Sequence, residues 1–404
     1  MFGYFKKHDH RLWILSIGWF SSSVGFALSI PFISIYFHSD LGISLSQIGI
    51  FFGVAAVVRS ISHSFGGELS DKIGRYWIMV LAQFLRALTF VAVAYSIHAH
   101  WGFYGIGGVM MVNFIFGSFF QPAANATVAD LVEARNRTEG YAIVRVAGNL
   151  GWAVGPALGG YLAADSYAGL FIASAIMTII SGGIIMAFLK GIARSAVSEG
   201  SRSLKESFSF KGNEIIYRHA ALVFVLYLVI AQMIAPFSLY AVDFKGISKE
   251  QLGSIFAFNG LMVTFLQIPI TRMLRKVKLT DQLAIGSVIY AFGFLMVGLT
   301  STYAMFVIAF VIITTGENFV SPPALSISAN LAPEGRVGRY MGIYGFAVTS
   351  GWSLGPLIGG LLLDWSKPDF IYMWAIVAAL VLVSAVGFRR LGRHIPAEMN
   401  LHRK

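Results

Sequence analysis

An all-α membrane protein of twelve spanning helices is the fold class that this sequence predicts, and three observations predict it. The composition is 56% hydrophobic and 14% aromatic, with a mean hydropathy of +0.72, which is more apolar surface than a soluble fold of 404 residues can bury. Twelve apolar stretches of about 20 residues or more, the length a bilayer demands, occupy most of the chain. The second half of the sequence also repeats the first.

The spans lie near 12–37, 46–66, 77–98, 103–128, 141–164, 169–190, 219–243, 251–271, 282–301, 303–329, 341–364 and 370–390. The longest polar interval, about Lys190 to Arg218, leaves no room for a soluble catalytic domain. The first span follows a polar N-terminus and lacks a small-residue cleavage site, so it is read as a helix that stays in place. Absence of cysteine excludes disulfides, thiolate metal sites and a Cys nucleophile.

A formal charge of +11 would suggest nucleic acid in a soluble protein, but here the placement of the cations decides. With both termini in the cytoplasm, every Lys and Arg falls on the cytoplasmic side except Lys245, Lys249 and Lys367, and Arg59, Arg86 and Arg145 inside apolar spans. That asymmetry obeys the positive-inside rule. It orients the chain and argues against a nucleic-acid partner.

The repeat is explicit. QPAANATVADL at 121–131 lies over SPPALSISANL at 321–331, and GWAVGPALGGYL at 151–162 lies over GWSLGPLIGGLL at 351–362. ISLSQIGIFF at 43–52 lies over ISKEQLGSIF at 247–256. The expected organisation is a six-helix bundle over 1–190, a basic cytoplasmic loop over 191–218, and a second six-helix bundle with a short basic tail over 219–404. Parallel repeats of this kind occur in secondary transporters, whose solute site lies at the midplane between them.

Between the second and third spans the chain reads Gly67-Glu-Leu-Ser-Asp71-Lys72-Ile-Gly74-Arg75. This stretch resembles the signature loop of the major facilitator superfamily, and the resemblance covers the whole chain: twelve spans, repeat and central loop. Tyr76 departs from it, standing where a second cation is usual. Gly67 and Gly74 suit a tight turn and close helix approach, and Lys72 and Arg75 hold the loop in the cytoplasm. The resemblance implies that Asp71 latches the cytoplasmic side by docking at the start of the eleventh helix, near Tyr340 to Gly342. A carboxylate at a helix N-terminus gains roughly 0.3–1 kcal/mol, weak enough to open in every cycle. The equivalent stretch TRMLRKVK (271–278) keeps the cations and lacks the acid.

The fifth span carries Gly151, Gly155, Pro156, Gly159 and Gly160, resembling the motif of the drug/proton antiporter branch of that superfamily. The eleventh span carries a second copy, Gly351, Gly355, Pro356, Gly359 and Gly360. A further Gly nine residues upstream belongs to the longer motif; Ala142 takes that place in the first copy and Gly342 in the second. Small residues four apart let helices approach closely, so packing and direction of transport both stand as roles.

Charges inside spans are functional candidates because each costs roughly 2.5–3.5 kcal/mol at a helix centre. Glu317 in the tenth span is the candidate for proton coupling or cation recognition, since desolvation favours its protonated form. Arg145 in the fifth span is a second candidate for tuning a proton site. Arg59 and Arg86 are buried cations whose role stays open between a substrate contact and pairing with backbone carbonyls or with Glu68 and Asp71. The family's fourth helix often carries an Arg four residues before a Gly, and this sequence has Asn113 before Gly117.

By family geometry, spans 1, 4, 7 and 10 line the cavity, which makes Phe26, Tyr36, Asn113, Phe116, Phe120, Gln121, Gln232, Phe237, Tyr240, Glu317 and Asn318 the expected lining. Aromatic faces and amides with one acid suit a bulky amphipathic or cationic solute. The expected function is a secondary active transporter: proton-coupled export of amphipathic or lipophilic small molecules by alternating access, driven by the proton gradient without a cofactor. Alternatives are a lipid, lysophospholipid or glycolipid mover of the same fold, and a small-metabolite symporter or uniporter. A membrane enzyme lacks support, because no nucleophile-base pair or metal-ligand spacing is present. The resemblance implies a multi-pass monomer in the bacterial cytoplasmic (inner) membrane, with solute, protons and membrane lipids as its partners.

Overall fold

A computed structural model of the chain describes residues 9–132, 137–189, 214–332 and 337–401, excepting the side chains of Ser64, Asp71, Ala129, Ala142, 137–139 and 337–339. Twelve long helices account for it: α1 His10–Asp40, α2 Leu45–Ile73, α3 Arg75–His98, α4 Phe103–Leu131, α5 Arg137–Asp165, α6 Tyr167–Phe188, α7 Glu214–Phe244, α8 Lys249–Met273, α9 Leu279–Leu299, α10 Tyr303–Asn330, α11 Val337–Trp365 and α12 Ile371–Leu391. Among the described residues, eleven of them are long and apolar enough to cross a membrane.

Two compact units divide these helices. One takes α1, α2 from Val54 onward, α3 to α6, and α8 up to Leu261; the other takes the start of α2 from Ser44 to Gly53, α7, the rest of α8, and α9 to α12. In each unit, therefore, the first turns of one helix join a set drawn from the other half of the sequence.

The repeat extends to backbone detail. Both α1 and α7 end in a π-helical turn, Tyr36–Asp40 and Tyr240–Phe244. Each turn is followed by a glycine in the left-handed region, Gly42 at φ 65° and Gly246 at φ 67°, which a side chain would disfavour. A reciprocal cap then starts the next helix. The Ser44 N–H donates to Gln47 Oε1 and the Gln47 N–H to Ser44 Oγ, both at 3.2 Å; Ser248 and Gln251 repeat the arrangement at 3.0 and 3.2 Å. This box satisfies orphan donors of the first turn.

Packing follows the logic of a lipid solvent. Large apolar side chains such as Leu88, Phe265, Phe292 and Val383 are exposed, whereas small polar ones occupy the seams. Ser181 Oγ donates to the Gly18 carbonyl at 2.7 Å and accepts from Gln83 Nε2 at 2.9 Å, tying α6 to α1 and α3. In lipid, apolar burial supplies no difference between core and surroundings, so close approach and interhelical hydrogen bonds hold the helices together. His219 of α7 is fully buried, with Nε2 2.9 Å from the Ala324 carbonyl of α10.

The signature stretch is not a loop. α2 continues through Gly67 and Asp71 to Ile73, with Glu68 and Lys72 paired one turn apart, and Gly74 alone links it to α3. At φ 111° and ψ 137° Gly74 occupies a conformation that L side chains rarely adopt. Gly74→Ala is expected to cost about 1–3 kcal/mol, whereas Gly67→Ala, whose added Cβ would come no nearer than 3.8 Å to Pro122, leaves stability within about 0.5 kcal/mol of wild type or slightly raised. Thermal unfolding in one detergent compares them; equal losses would refute the assignment of the turn to Gly74. The close approach falls one residue earlier, at Gly66, where a Cβ would lie 2.7 Å from the Phe119 Cα.

Candidate functional site

Arg75 donates to the Ala126 carbonyl at 2.7 Å and pairs with Asp130, so the signature arginine fastens the start of α3 to the end of α4. The Asp71 side chain, and with it the expected latch, lies outside the described residues.

The glycine motifs form two backbone seams. In the first unit, a Cβ on Gly151 would fall 2.5 Å from Ser23 Cβ, and one on Gly155 2.6 Å from Ala27 Cβ, so α5 lies directly on α1. Gly159 meets the Leu28 carbonyl at 2.5 Å, and Gly160 meets the Lys249 carbonyl in the first turn of α8. The second copy does the same in the other unit: Gly351 against Phe224, Gly355 against Ala231, Gly359 against Gln232 and Pro236, Gly360 against Leu45 and Gly49. Pro156 and Pro356 turn their carbonyls toward Gly253 and Gly49 respectively. An added Cβ at Gly342, the upstream glycine of the longer motif, meets nothing within 4 Å among the described residues.

In the first unit, the fourth-helix glycine meets an arginine from another helix. Arg86 of α3 lies 6% exposed with its guanidinium against Gly117 of α4, where an added Cβ would fall 2.9 Å from Cζ. Asn113, fully buried one turn before, donates to the Arg86 carbonyl at 3.2 Å and to Thr89 Oγ1 at 2.9 Å. The Arg86 guanidinium lies 4.8 Å from the Phe26 ring centroid and 5.4 Å from that of Phe90. Arg59 of α2 is exposed and lies 5.5 Å from the same Phe26 ring and 5.9 Å from Phe114. Pairing of these arginines with Glu68 does not occur, because Glu68 bonds Lys72 and stands nine residues, about 13 Å of helix rise, from Arg59.

In the second unit, Glu317 is half-buried at the middle of α10. Its charge acts on the phenol of Tyr290 in α9, which is also within electrostatic reach of Tyr227 in α7. Tyr227 in turn lies 3.3 Å, hydroxyl to hydroxyl, from Tyr344 of α11. Asn318 beside it is 1% exposed, and its carbonyl accepts from Gln267 of α8 at 3.1 Å. An acid half-buried in a spanning helix can take up and release a proton. Sequence reading missed Tyr227, Tyr290 and Tyr344; they sit on three different helices and no spacing connects them.

The expected lining separates into two groups. Phe26, Phe116 and Glu317 are half-buried, and Gln121 and Arg145 are exposed. Tyr36, Phe120, Phe237 and Tyr240 are packed instead: Tyr36 against Tyr167 at 4.8 Å, Phe120 against Trp19 at 5.6 Å, Phe237 against Phe310 at 4.5 Å, and Tyr240 against Trp374 at 5.3 Å. Gln232 is fully buried and its amide donates to the Leu228 and Gly355 carbonyls, both at 2.9 Å, bridging α7 and α11.

Comparison with known proteins agrees with this architecture. The family model described as Major Facilitator Superfamily matches residues 15–356 and 220–400. The MFS-type transporter YttB of Bacillus subtilis (strain 168), itself described as uncharacterized, is 30% identical over 361 residues, 87% of this chain and 88% of that protein. Multidrug resistance protein MdtH of Salmonella typhimurium is 22% identical over 411 residues, 98% of this chain and 96% of that protein. Among solved structures, a POT family transporter in complex with a thioalcohol-conjugated peptide superimposes with a TM-score of 0.77 at 15% identity, covering 96% of this chain and 97% of that one. The nucleoside transporter NupG does so with a TM-score of 0.76 at 15% identity, covering 94% and 99%. Both structural likenesses speak for the fold alone.

Proposed function

The chain belongs to the major facilitator superfamily, and from that premise we propose that it is a proton-coupled exporter of amphipathic or lipophilic small molecules working by alternating access. One observation carries the proposal: Glu317, an acid at the centre of a spanning helix, is half-buried and within electrostatic reach of the Tyr290 phenol. An ionised carboxylate there is costly in a bilayer, so its proton can be exchanged for the charge or polarity of a solute. Similarity to a protein named for multidrug resistance supports the export direction. The glycine seams on α5 and α11 support the antiporter branch. In this reading both termini are cytoplasmic, the protein works in the bacterial inner membrane, and Asp71 latches the cytoplasmic side.

The test uses the full chain in liposomes loaded with a pH dye. A gradient of a lipophilic cation such as tetraphenylphosphonium is imposed on wild type and on Glu317→Gln. Proton flux opposite to the cation is expected in wild type, with at least a tenfold loss in the variant. Solute flux with no proton movement in wild type would remove the antiport reading in favour of a uniporter or lipid mover. Unchanged proton exchange in Glu317→Gln would remove Glu317 as the coupling group.

A further inference from the structure

We propose that Arg59 and Arg86, with Phe26 and Asn113, form a binding site in the first unit for the carboxylate of an aromatic or lipophilic organic anion. This inference rests on the reading of the chain as a transporter of small solutes and names a substrate class that the acid in the second unit does not explain.

The four residues come from four helices and meet at one depth. Arg59 stands at the middle of α2, Arg86 at the middle of α3, and Phe26 and Asn113 near the middles of α1 and α4. Two guanidiniums flank one aromatic ring at 5.5 and 4.8 Å. Among the described residues, neither makes an ion pair with a carboxylate, and the Arg59 charge adds to the electrostatic cost of Arg86. A cation at the bilayer centre is expensive, and two without a counter-charge are more so. Attraction to the Phe26, Phe90 and Phe114 rings offsets only part of that cost.

Polar atoms at the site also wait for a partner. Arg86 Nε and Asn113 Oδ1 are buried and unpartnered, on residues 6% and 0% exposed. The guanidinium is nevertheless held in place: Gly117 leaves it room, and Asn113 grips the backbone that carries it. A planar fork fixed in this way, with a donor left unused, is suited to a carboxylate, which can accept two parallel bonds from it. Arg59, on the exposed side, gives first contact. Phe26, half-buried, is placed beside the apolar body of the ligand, and it packs T-shaped with Trp152 at a centroid distance of 5.8 Å.

The source of the anion follows from depth. The hydrocarbon core extends about 15 Å on either side of the midplane, so a phosphate in the headgroup layer cannot reach guanidiniums at the centres of α2 and α3, nor can these side chains snorkel that far. A solute carried within the protein can.

The experiment uses the full chain purified in detergent, with salicylate as probe, salicylamide as its uncharged counterpart, and sodium chloride at equal ionic strength as the inorganic control. Thermal unfolding midpoint and tryptophan fluorescence are both recorded. Salicylate is expected to raise the midpoint saturably and to alter the fluorescence, salicylamide to bind at least tenfold more weakly, and R59Q and R86Q each to weaken salicylate binding tenfold or more. R59K is expected to restore part of the affinity, which a purely structural role would not produce. If R86Q does not fold, R59Q decides, because Arg59 is exposed. Equal binding of the amide, or unchanged salicylate affinity in R59Q, would overturn the proposal, as would a response to chloride alone that salicylate does not add to. The outcome is separable from that of the export reading: salicylate binding that needs Arg59 stands even if Glu317→Gln leaves proton exchange untouched, and proton exchange stands even if the arginines bind no anion.

Discussion

Gly155→Val is expected to separate α5 from α1 and to lower stability by about 3 kcal/mol, at the upper end of the usual cost of overpacking. The reason is the absence of anything that can yield. An added Cβ at this position falls 2.6 Å from Ala27 Cβ and 3.0 Å from both the Ala27 carbonyl carbon and the Leu28 nitrogen. Ala27 has no longer side chain to rotate away, and the other two atoms are helix backbone. The valine must therefore push one helix off the other, and the displacement is transmitted to Gly151 and Gly159, where the seam is as close. Gly342→Val is the matched control. It changes a glycine of the longer form of the motif at a position where, among the described residues, nothing lies within 4 Å of an added Cβ, and it is expected to shift stability by no more than about 1 kcal/mol, mostly through helix propensity. Thermal unfolding of both variants in one detergent checks the contrast. If Gly342→Val proved as damaging as Gly155→Val, steric contact within the seam would not be what these glycines provide.

That contrast shows where the sequence was legible. Twelve helices stood out because a bilayer imposes a minimum apolar length, and ISLSQIGIFF at 43–52 returned as ISKEQLGSIF at 247–256, marking the same segment twice. The end of α2 was misjudged by seven residues. Hydropathy measures where the membrane stops, and α2 runs beyond that point as a charged helix stitched by Glu68 and Lys72. The aromatic lining was the least legible feature. In a soluble protein, the face of a helix that meets the core differs in polarity from the face that meets water; here lipid is as apolar as the core, and Phe237 and Phe265 look alike in sequence although one is buried and the other is exposed. Arg86 shows the same limit. Its distance from Gly117 depends on the relative rotation of α3 and α4, which no pattern within either helix specifies. Its sequence signal was only that an arginine stood in an apolar span.

Asp364→Ala is expected to cost about 2 kcal/mol, the range for a hydrogen bond to a charged group that is left unmade, by releasing the first turn of α2 from the last turn of α11. Within the second unit, the Asp364 carboxylate accepts from the Ser46 N–H at 2.7 Å and from the Ser46 hydroxyl at 2.5 Å, while Lys367 holds its other oxygen at 2.9 Å. The position is one where a negative charge is favoured twice: it satisfies a backbone donor that α2 cannot satisfy internally, and it faces the positive end of that helix's dipole. Asp364→Asn keeps an acceptor oxygen and loses the charge, so its loss is expected to be about half as large. Ser46→Ala removes the hydroxyl bond and keeps the N–H bond, and is expected to lie below both. The order Ala, then Asn, then the serine variant, read from thermal unfolding midpoints, checks the assignment; an Asn variant as unstable as Ala would show that the charge, not the acceptor, carries the contact.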